Sequence, residues 1–227
     1  MLYPAATVLI VGSMALAAYA RAKVQGTVRR YQQVPGRVGL NGREVAEWVL
    51  RAGGVEGVTI EQTDGYLSDH YDPRKRVLRL SSEVYSGRHL AAFGIAAHEA
   101  GHAVQHATGY GLLGLRSLTA PLASLGSTLG LPVAILGASL RSVPLLMLGL
   151  GLFAMVVLFQ LITLPVELDA SRRAVQLLRG SGLVETQEEE NGVRSVLSSA
   201  ALTYLAAAVS GIAGLAHFAL RMLGRRI

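Results

Sequence analysis

Four long stretches without a charged residue dominate the pattern of apolar and polar positions along the chain. Each is 20 to 26 residues long, and about 20 apolar residues at ~1.5 Å rise per residue cross the hydrocarbon core of a bilayer. We therefore expect four transmembrane or re-entrant helices. The stretches are Met1 to Ala20, Ser117 to Leu140, Ser142 to Val166 and Ser195 to Leu220.

The first stretch is either a signal peptide or a retained anchor. A signal peptide begins with basic residues, whereas here the basic residues, beginning with Arg21 and Lys23, follow the apolar run. This order of charges favours a retained anchor whose C-terminal flank lies in the cytoplasm.

The polar region after the first stretch is long enough for a small domain. Its segment "REVAEWVLRAGG" has the spacing of an amphipathic helix, with Val45, Trp48 and Val49 on one face and Gly53-Gly54 at its end. The Ala-rich segment "SGRHLAAFGIAAHEAGHAVQHATG" predicts a longer helix, opened by Ser86-Gly87 and closed at Gly109.

Two short segments between these helices predict strands. "GVTIEQTDG" and "RVLRLS" are β-branched or alternating runs flanked by Gly, Asp and Pro. "RVLRLS" is a candidate edge strand on which an extended peptide docks. The alternative is that Val77, Leu78 and Leu80 are simply core residues.

The composition fits a membrane protein and argues against a disulfide-bonded or thiol-dependent protein and against a nucleic-acid-binding protein. Half of the 227 residues are hydrophobic (51%) and only 16% are charged. Cysteine is absent, which excludes a disulfide framework and thiol chemistry. The net charge is +6, but no basic run is interleaved with aromatic residues, so we expect no nucleic-acid partner.

Within the long helix, His98 and His102 are four residues apart, which places them on one helical face about 6 Å apart. Both rings can reach one metal ion. Glu99 is rotated by roughly 100°, so it is badly placed as a ligand but can take a proton from a metal-bound water, as in HExxH zinc hydrolases. His106 lies ~12 Å further along the axis than His98, and we expect it not to be a ligand.

A catalytic zinc site needs a third protein ligand. Glu167, which directly follows an uncharged apolar stretch, is the candidate, and Asp169 is its competitor. Both carboxylates have an alternative role, which is to cap a membrane helix or to pair with Arg172 and Arg173.

Topology is consistent with a shared site, because two crossings separate the histidines from Glu167 and return the chain to the same side. On that side lie 17 of the 21 basic residues, while Arg141, Arg221, Arg225 and Arg226 lie opposite. The positive-inside rule therefore predicts that the site faces the cytoplasm.

The segments "LSDHYDP", "LRLSSEVY", "AAHEAGHAVQ", "PVELDASRRA" and "AALTYLAAA" together resemble the bacterial membrane-bound neutral zinc metallopeptidase family. This resemblance implies one Zn²⁺ per chain, held by His98, His102 and Glu167, with Glu99 as general base. "VELDAS" is more distantly similar to the ExxxD helix of HtpX and CAAX-protease-type peptidases. Ser171 replaces their aspartate, so Asp169 is the candidate carboxylate for orienting a histidine.

Three further residues are candidates for stabilising the oxyanion of a tetrahedral intermediate. They are His70, Tyr71 and Tyr85. The alternative for "LSDHYDP" is a turn shaped by Asp69 and Asp72-Pro73.

We therefore expect a mainly α membrane protein with about four apolar helices, a zincin-like active-site helix and a two- to three-stranded β element. The segments are an N-terminal transmembrane anchor (1–20), a catalytic region with the HEAGH helix (21–116), a transmembrane hairpin (117–166), a third-ligand helix with the acidic loop "ETQEEENG" (167–194) and a C-terminal transmembrane or re-entrant helix (195–227).

The expected function is a zinc metalloendopeptidase in the inner or plasma membrane that cleaves peptides or membrane proteins. The alternatives are a site-2-type intramembrane protease and a non-catalytic scaffold with a structural metal. Gly126 and Gly130 form a small-xxx-small pattern, which favours packing within the hairpin over a dimer face. The oligomeric state stays open between monomer and dimer.

Overall fold

The fold is that of a mainly α membrane protein with one small sheet. The structure is a computed structural model that describes residues 4–223, with side chains described for residues 7–218. Arg225 and Arg226 lie outside the described residues, as does the side chain of Arg221. The elements are α1 (Pro4–Gln32), α2 (Gly42–Ala52), β1 (Thr59–Thr63), β2 (His70–Asp72), β3 (Val77–Ser81), α3 (Ser82–Ser86), α4 (Leu90–Ala107), α5 (Gly111–Leu125), a π-helical segment (Gly126–Gly130), α6 (Leu131–Ser139), α7 (Val143–Gly180) and α8 (Gln187–Leu223).

Four helical segments within the described residues are long and apolar enough to cross a membrane. They are Thr7–Gln32, Gly111–Ser139, Val143–Gly180 and Gln187–Phe218. The chain divides into two compact units: an apolar unit (Met1–Arg21, Leu112–Pro165 and Leu202–Ile227) and a site-bearing unit (Ala22–Gly111 and Val166–Ala201).

Small residues allow close helix packing in the apolar unit. A Cβ added at Gly126 would collide with the Leu152 carbonyl oxygen, and one at Gly130 would lie 2.9 Å from the Phe153 backbone nitrogen. The small-xxx-small pattern therefore packs against α7 of the same chain. Arg141 turns the hairpin in a left-handed conformation (φ 53°).

The core of the site-bearing unit lies between α2, α4, β3 and the C-terminal part of α7. Phe93, Leu78 and Leu80 are fully buried there, and Leu178 is 1% exposed. On α2, Val45 and Val49 are buried as expected, and a capping box formed by Asn41 and Glu44 begins the helix. Trp48 was wrongly predicted to share this face: it is 47% exposed.

The sheet corrects the prediction of an edge strand. Its order is β1-β3-β2, with β1 parallel and β2 antiparallel to β3. "RVLRLS" therefore forms the central strand, whose two edges are both paired, and Leu78 and Leu80 are core residues. β2 comes from "LSDHYDP", a segment that sequence reasoning treated as a connection. Asp72, the last residue of β2, accepts the backbone N–H groups of Arg74 and Lys75, so the expected turn is also present.

Two helix starts also differ from the predictions. The active-site helix α4 begins at Leu90, because Ser82–Ser86 is a separate helical turn and His89 provides the N-cap. The acidic segment "ETQEEENG" is not a loop beyond its first residues: α8 begins at Gln187. Glu189 accepts the backbone N–H groups of Arg37, Glu185 and Thr186, which stabilises this helix start.

Candidate metal centre

Helix α4 presents the two histidines of the HEAGH motif on one face. His89 begins the helix by accepting the backbone N–H of Ala92 through Nδ1 at 3.0 Å. The rings of His98 and His102 lie edge to face, with centroids 4.8 Å apart. His102 is buried, and the side chain of His98 is 14% exposed.

Helix α7 brings Glu167 to the same point. Its Oε2 lies 3.0 Å from Nε2 of His98 and 3.5 Å from Nε2 of His102. The carboxylate is almost fully buried, with 2% exposure. One candidate ligand atom from each of the three residues lies within 4.8 Å of the other two. Residues 98, 102 and 167 are thus brought together, although 65 residues separate the last two in sequence.

The geometry and chemistry of this cluster fit zinc. Donors about 2.0–2.1 Å from a tetrahedral ion lie about 3.4 Å apart, close to the observed separations of 3.0 and 3.5 Å. Two imidazoles and one carboxylate form a known donor set of catalytic zinc sites, which leave a fourth position open. The role of Glu167 as third ligand, rather than Asp169, remains a prediction that this geometry favours.

Glu99 directly follows His98, within the helical turn that separates the two histidines. It is buried, with 9% exposure, and its position on α4 rotates it away from the face that His98 and His102 share. Its role as general base remains a prediction. A buried carboxylate beside a candidate metal site is the group expected to accept a proton there.

Both histidines use Nδ1 to contact a second residue behind the cluster. Nδ1 of His102 lies 3.0 Å from Oε1 of Gln105, and Nδ1 of His98 lies 3.2 Å from Oγ of Ser171. Both Nε2 atoms therefore face Glu167. Ser171 occupies the position where the distant families have aspartate, and its hydroxyl contacts the histidine that a carboxylate would otherwise orient.

Asp169 has a different position from the one expected. It contacts neither histidine and instead accepts a hydrogen bond from Nε2 of Gln105 at 2.9 Å. Its carboxylate also accepts bonds from Arg172 Nη2 at 2.9 Å and Arg173 Nε at 2.6 Å. Of the roles considered for Asp169, the pairing with arginines is present, whereas its link to a histidine is indirect, through the Gln105 amide.

The candidate oxyanion residues have separate environments. His70 is exposed and contacts the Ser68 carbonyl oxygen through Nδ1 at 2.8 Å. Tyr85 packs against the hydrophobic core. Tyr71 Oη lies 2.9 Å from Nδ1 of His106, and burial raises the pKa of the Tyr71 phenol, which keeps it protonated at neutral pH.

His106 was expected not to be a ligand, and its contact is with Tyr71. It is exposed near the end of α4, one turn beyond His102. Among the described residues, the group of three candidate ligands does not include it. The Tyr71–His106 pair places a phenol near the face of α4 that carries the motif.

Gln105 and Ser171 are the residues of this site that sequence reasoning missed. Gln105 follows His102 by three residues, so helical spacing places it near that ring. An amide within "HAVQH" carries no metal signature of its own. Ser171 was noted only for the aspartate it replaces.

Comparisons with known proteins agree on one family. The family described as "putative neutral zinc metallopeptidase" matches residues 6–223. The chain is 42% identical over 218 residues to "Putative membrane protease YugP" of Bacillus subtilis (strain 168), an alignment that covers 96% of each chain. No solved structure matches the chain. The extent of these two matches shows that the chain belongs to the neutral zinc metallopeptidase family.

Proposed function

We propose that the protein is a membrane-embedded zinc-dependent endopeptidase that binds one zinc ion per chain through His98, His102 and Glu167. The observation that carries this proposal is the convergence of three buried or nearly buried donors from two helices, with separations that suit one ion. Membership of a zinc peptidase family supports a peptidase, as does the protease name of the relative from Bacillus subtilis.

The chemistry assigned to the chain is proton transfer and charge stabilisation. When bound, zinc acts as a Lewis acid that lowers the pKa of water and polarises a carbonyl group. Glu99 accepts the proton of the attacking water and then delivers it to the leaving amine. Tyr71 is the proposed hydrogen-bond donor to the developing oxyanion, because its phenol stays protonated and contacts His106, which lies one helical turn beyond His102.

The proposed substrates are peptides or membrane proteins at the cytoplasmic side of a bacterial inner or plasma membrane. Four helical segments of membrane-spanning length support a multi-pass protein. The bias of lysine and arginine towards residues 21–116 and 167–194 supports a cytoplasmic site. We therefore propose the lipid bilayer as a partner and expect no nucleic-acid partner.

The position of the motif favours this proposal over a site-2-type intramembrane protease. In such an enzyme the HExxH sequence lies within a spanning helix, whereas α4 is not among the four candidate spans. A non-catalytic scaffold with a structural metal is the other alternative. It provides no reason for a buried carboxylate at Glu99 beside the histidines.

The test compares three variants purified in detergent with wild type. We measure zinc per chain and cleavage of a fluorogenic peptide library. Glu167→Ala should lose zinc and cleavage together, whereas Glu99→Gln should keep zinc and lose cleavage by about 10³-fold or more. Glu188→Gln, which changes an exposed carboxylate on α8, is the matched control and should change neither quantity.

Two results would contradict the proposal. A wild-type protein that holds no zinc after purification without chelators would exclude a zinc enzyme. Zinc binding with full cleavage in Glu99→Gln would exclude the assigned base. Zinc retention in Glu167→Ala would instead move the third ligand to another residue, with Asp169 examined first.

A further inference from the structure

The side chain of Gln105 is completely buried directly behind the metal centre. It has 0% exposure, although it is a polar residue. Its Oε1 lies 3.0 Å from Nδ1 of His102. Its Nε2 lies 2.9 Å from the Val166 carbonyl oxygen and 2.9 Å from Oδ2 of Asp169. The amide oxygen and the amide nitrogen therefore both have hydrogen-bond partners, on α4 and α7 respectively.

The two contacts of Nε2 determine the orientation of the amide. The Val166 carbonyl and the Asp169 carboxylate are both acceptors, so the atom that faces them has to be the NH₂ group, which supplies two donors. In the flipped orientation the amide oxygen would face two other oxygens inside the protein, at a cost of two buried hydrogen bonds. The amide oxygen consequently faces His102.

This orientation determines which nitrogen of His102 carries a proton. Because an amide oxygen can only accept, Nδ1 of His102 has to donate. In the neutral ring Nε2 is then unprotonated, and its lone pair faces Glu167 Oε2 at 3.5 Å. An unprotonated imidazole nitrogen is the form that binds a metal ion.

We propose that Gln105 is a positioning residue that keeps His102 in the Nδ1–H tautomer, with Nε2 free for the metal, and that Asp169 fixes the Gln105 amide in the required orientation. The proposal rests on the proposed zinc centre and adds how one of its ligands is held. Most metal-binding histidines are oriented by a carboxylate, a carbonyl or water, whereas here a side-chain amide transmits the effect of a carboxylate.

The arginines next to Asp169 support this arrangement. Arg172 and Arg173 both bond to its carboxylate, and the side chain of Asp169 is only 11% exposed. Two cations keep the carboxylate ionised and therefore an acceptor for the Gln105 amide. The contacts thus run from arginine to aspartate, glutamine and histidine, whose Nε2 would hold the metal.

The first experiment measures zinc affinity by competition with a chelator in detergent. In Gln105→Met the new side chain has a similar length but cannot accept the hydrogen bond from Nδ1 of His102. Zinc should therefore bind about 10- to 100-fold more weakly. Gln105→Glu keeps an acceptor for Nδ1 but loses both donors and adds a negative charge beside Asp169. It should therefore unfold at a lower temperature than Gln105→Met and nevertheless bind zinc more tightly.

This opposite ranking separates positioning from general destabilisation. A structural role alone would make zinc affinity follow the unfolding temperature in both variants. The proposal is overturned if affinity and unfolding temperature rank the two variants in the same order, or if Gln105→Met binds zinc as tightly as wild type.

The second experiment observes the imidazole directly and does not depend on a folded Gln105 variant. The chain has six histidines, so ¹⁵N-histidine labelling gives a simple NMR spectrum of the zinc-loaded protein. His102 should show a protonated, slowly exchanging Nδ1–H and a metal-bound Nε2. Asp169→Asn should shift this signal, while Ser171→Ala, the matched control, should shift the signal of His98 instead.

A His102 ring that binds zinc through Nδ1, or an Nδ1–H signal that Asp169→Asn leaves unchanged, would refute the proposal. Failure of the proposed function is distinguishable, because neither experiment uses a substrate. A protein that binds zinc with the predicted tautomer but cleaves no peptide keeps this inference and loses the peptidase. An active enzyme in which His102 lacks the predicted tautomer would support the peptidase and contradict this inference.

Discussion

Replacement of Gly101 by alanine should weaken zinc binding, because Gly101 lies where α4 meets the backbone of α7. A Cβ added to Gly101 would lie 2.8 Å from the Ala170 carbonyl oxygen and 3.5 Å from its Cα. The obstacle is backbone, so no side chain can move away to make room. The two helices themselves have to separate.

The size of this separation follows from the contact distances. Ordinary contacts of a Cβ begin at 3.4 Å, so α4 and α7 have to move apart by about 0.6 Å. Ligand distances in metal sites vary by only about 0.2 Å. Because α4 carries both histidines and α7 carries Glu167, zinc affinity should fall about 10- to 100-fold. Overpacking costs about 1–3 kcal/mol, and the better helix propensity of alanine offsets about 1 kcal/mol.

Gly94→Ala is the matched control on the same helix. Its Cβ would lie 3.6 Å from Cγ1 of Val193 and 3.7 Å from Cγ1 of Val196, which are ordinary contacts. This variant should keep wild-type zinc affinity and gain up to about 1 kcal/mol in free energy of unfolding. The assays are chelator competition for zinc and thermal unfolding in excess chelator. Wild-type zinc affinity in a folded Gly101→Ala protein would contradict the expected separation of α4 and α7.

Three other predictions concern residues outside the ligand set. Tyr71→Phe should lower kcat/KM for peptide cleavage by about 10²-fold without changing zinc content, while Tyr66→Phe, in an exposed loop, should leave cleavage unchanged. His89 accepts the Ala92 N–H only when Nδ1 is unprotonated, and burial lowers its pKa below the ordinary 6.5. The unfolded chain therefore takes up this proton first, so the stabilisation is present above about pH 6.5 and is lost as the pH falls towards the lower folded value. Asparagine also caps a helix but does not titrate in this range. His89→Asn should therefore reduce the pH dependence of the unfolding temperature, measured from about pH 5 to 8. Gly126→Leu should lower the unfolding temperature, since its side chain would collide with the Leu152 carbonyl; an unchanged temperature would contradict the packing described for the hairpin.

Features that depend on local physics were predictable from the sequence. An uncharged stretch of 20 or more residues indicates a membrane helix, because burying each charge in lipid is costly wherever the segment lies in the fold. The four candidate spans agree with this expectation. The i, i+4 spacing of His98 and His102 likewise requires only that the segment be helical.

Features that depend on pairing between distant segments were not predictable in the same way. The sequence of β3 has the alternation of a half-exposed strand, but its neighbours are set by where β1 and β2 dock, and they place it at the centre of the sheet. Trp48 has the helical spacing of a buried residue, yet it is 47% exposed. At the start of α8, Glu189 accepts a hydrogen bond from the backbone of Arg37, which is 152 residues away in the sequence.

The membrane class, the motif helix and the identity of the candidate donors could be predicted from the residues alone, since they follow from composition and helical spacing. The contacts of Glu167 with both histidines, of Asp169 with Gln105 and of Ser171 with His98 depend instead on tertiary packing. The physical reason is that α4 and α7 approach closely at Gly101 and Ala170. This approach, and the direction of each side chain across it, depends on the packing of two helices that are far apart in the sequence.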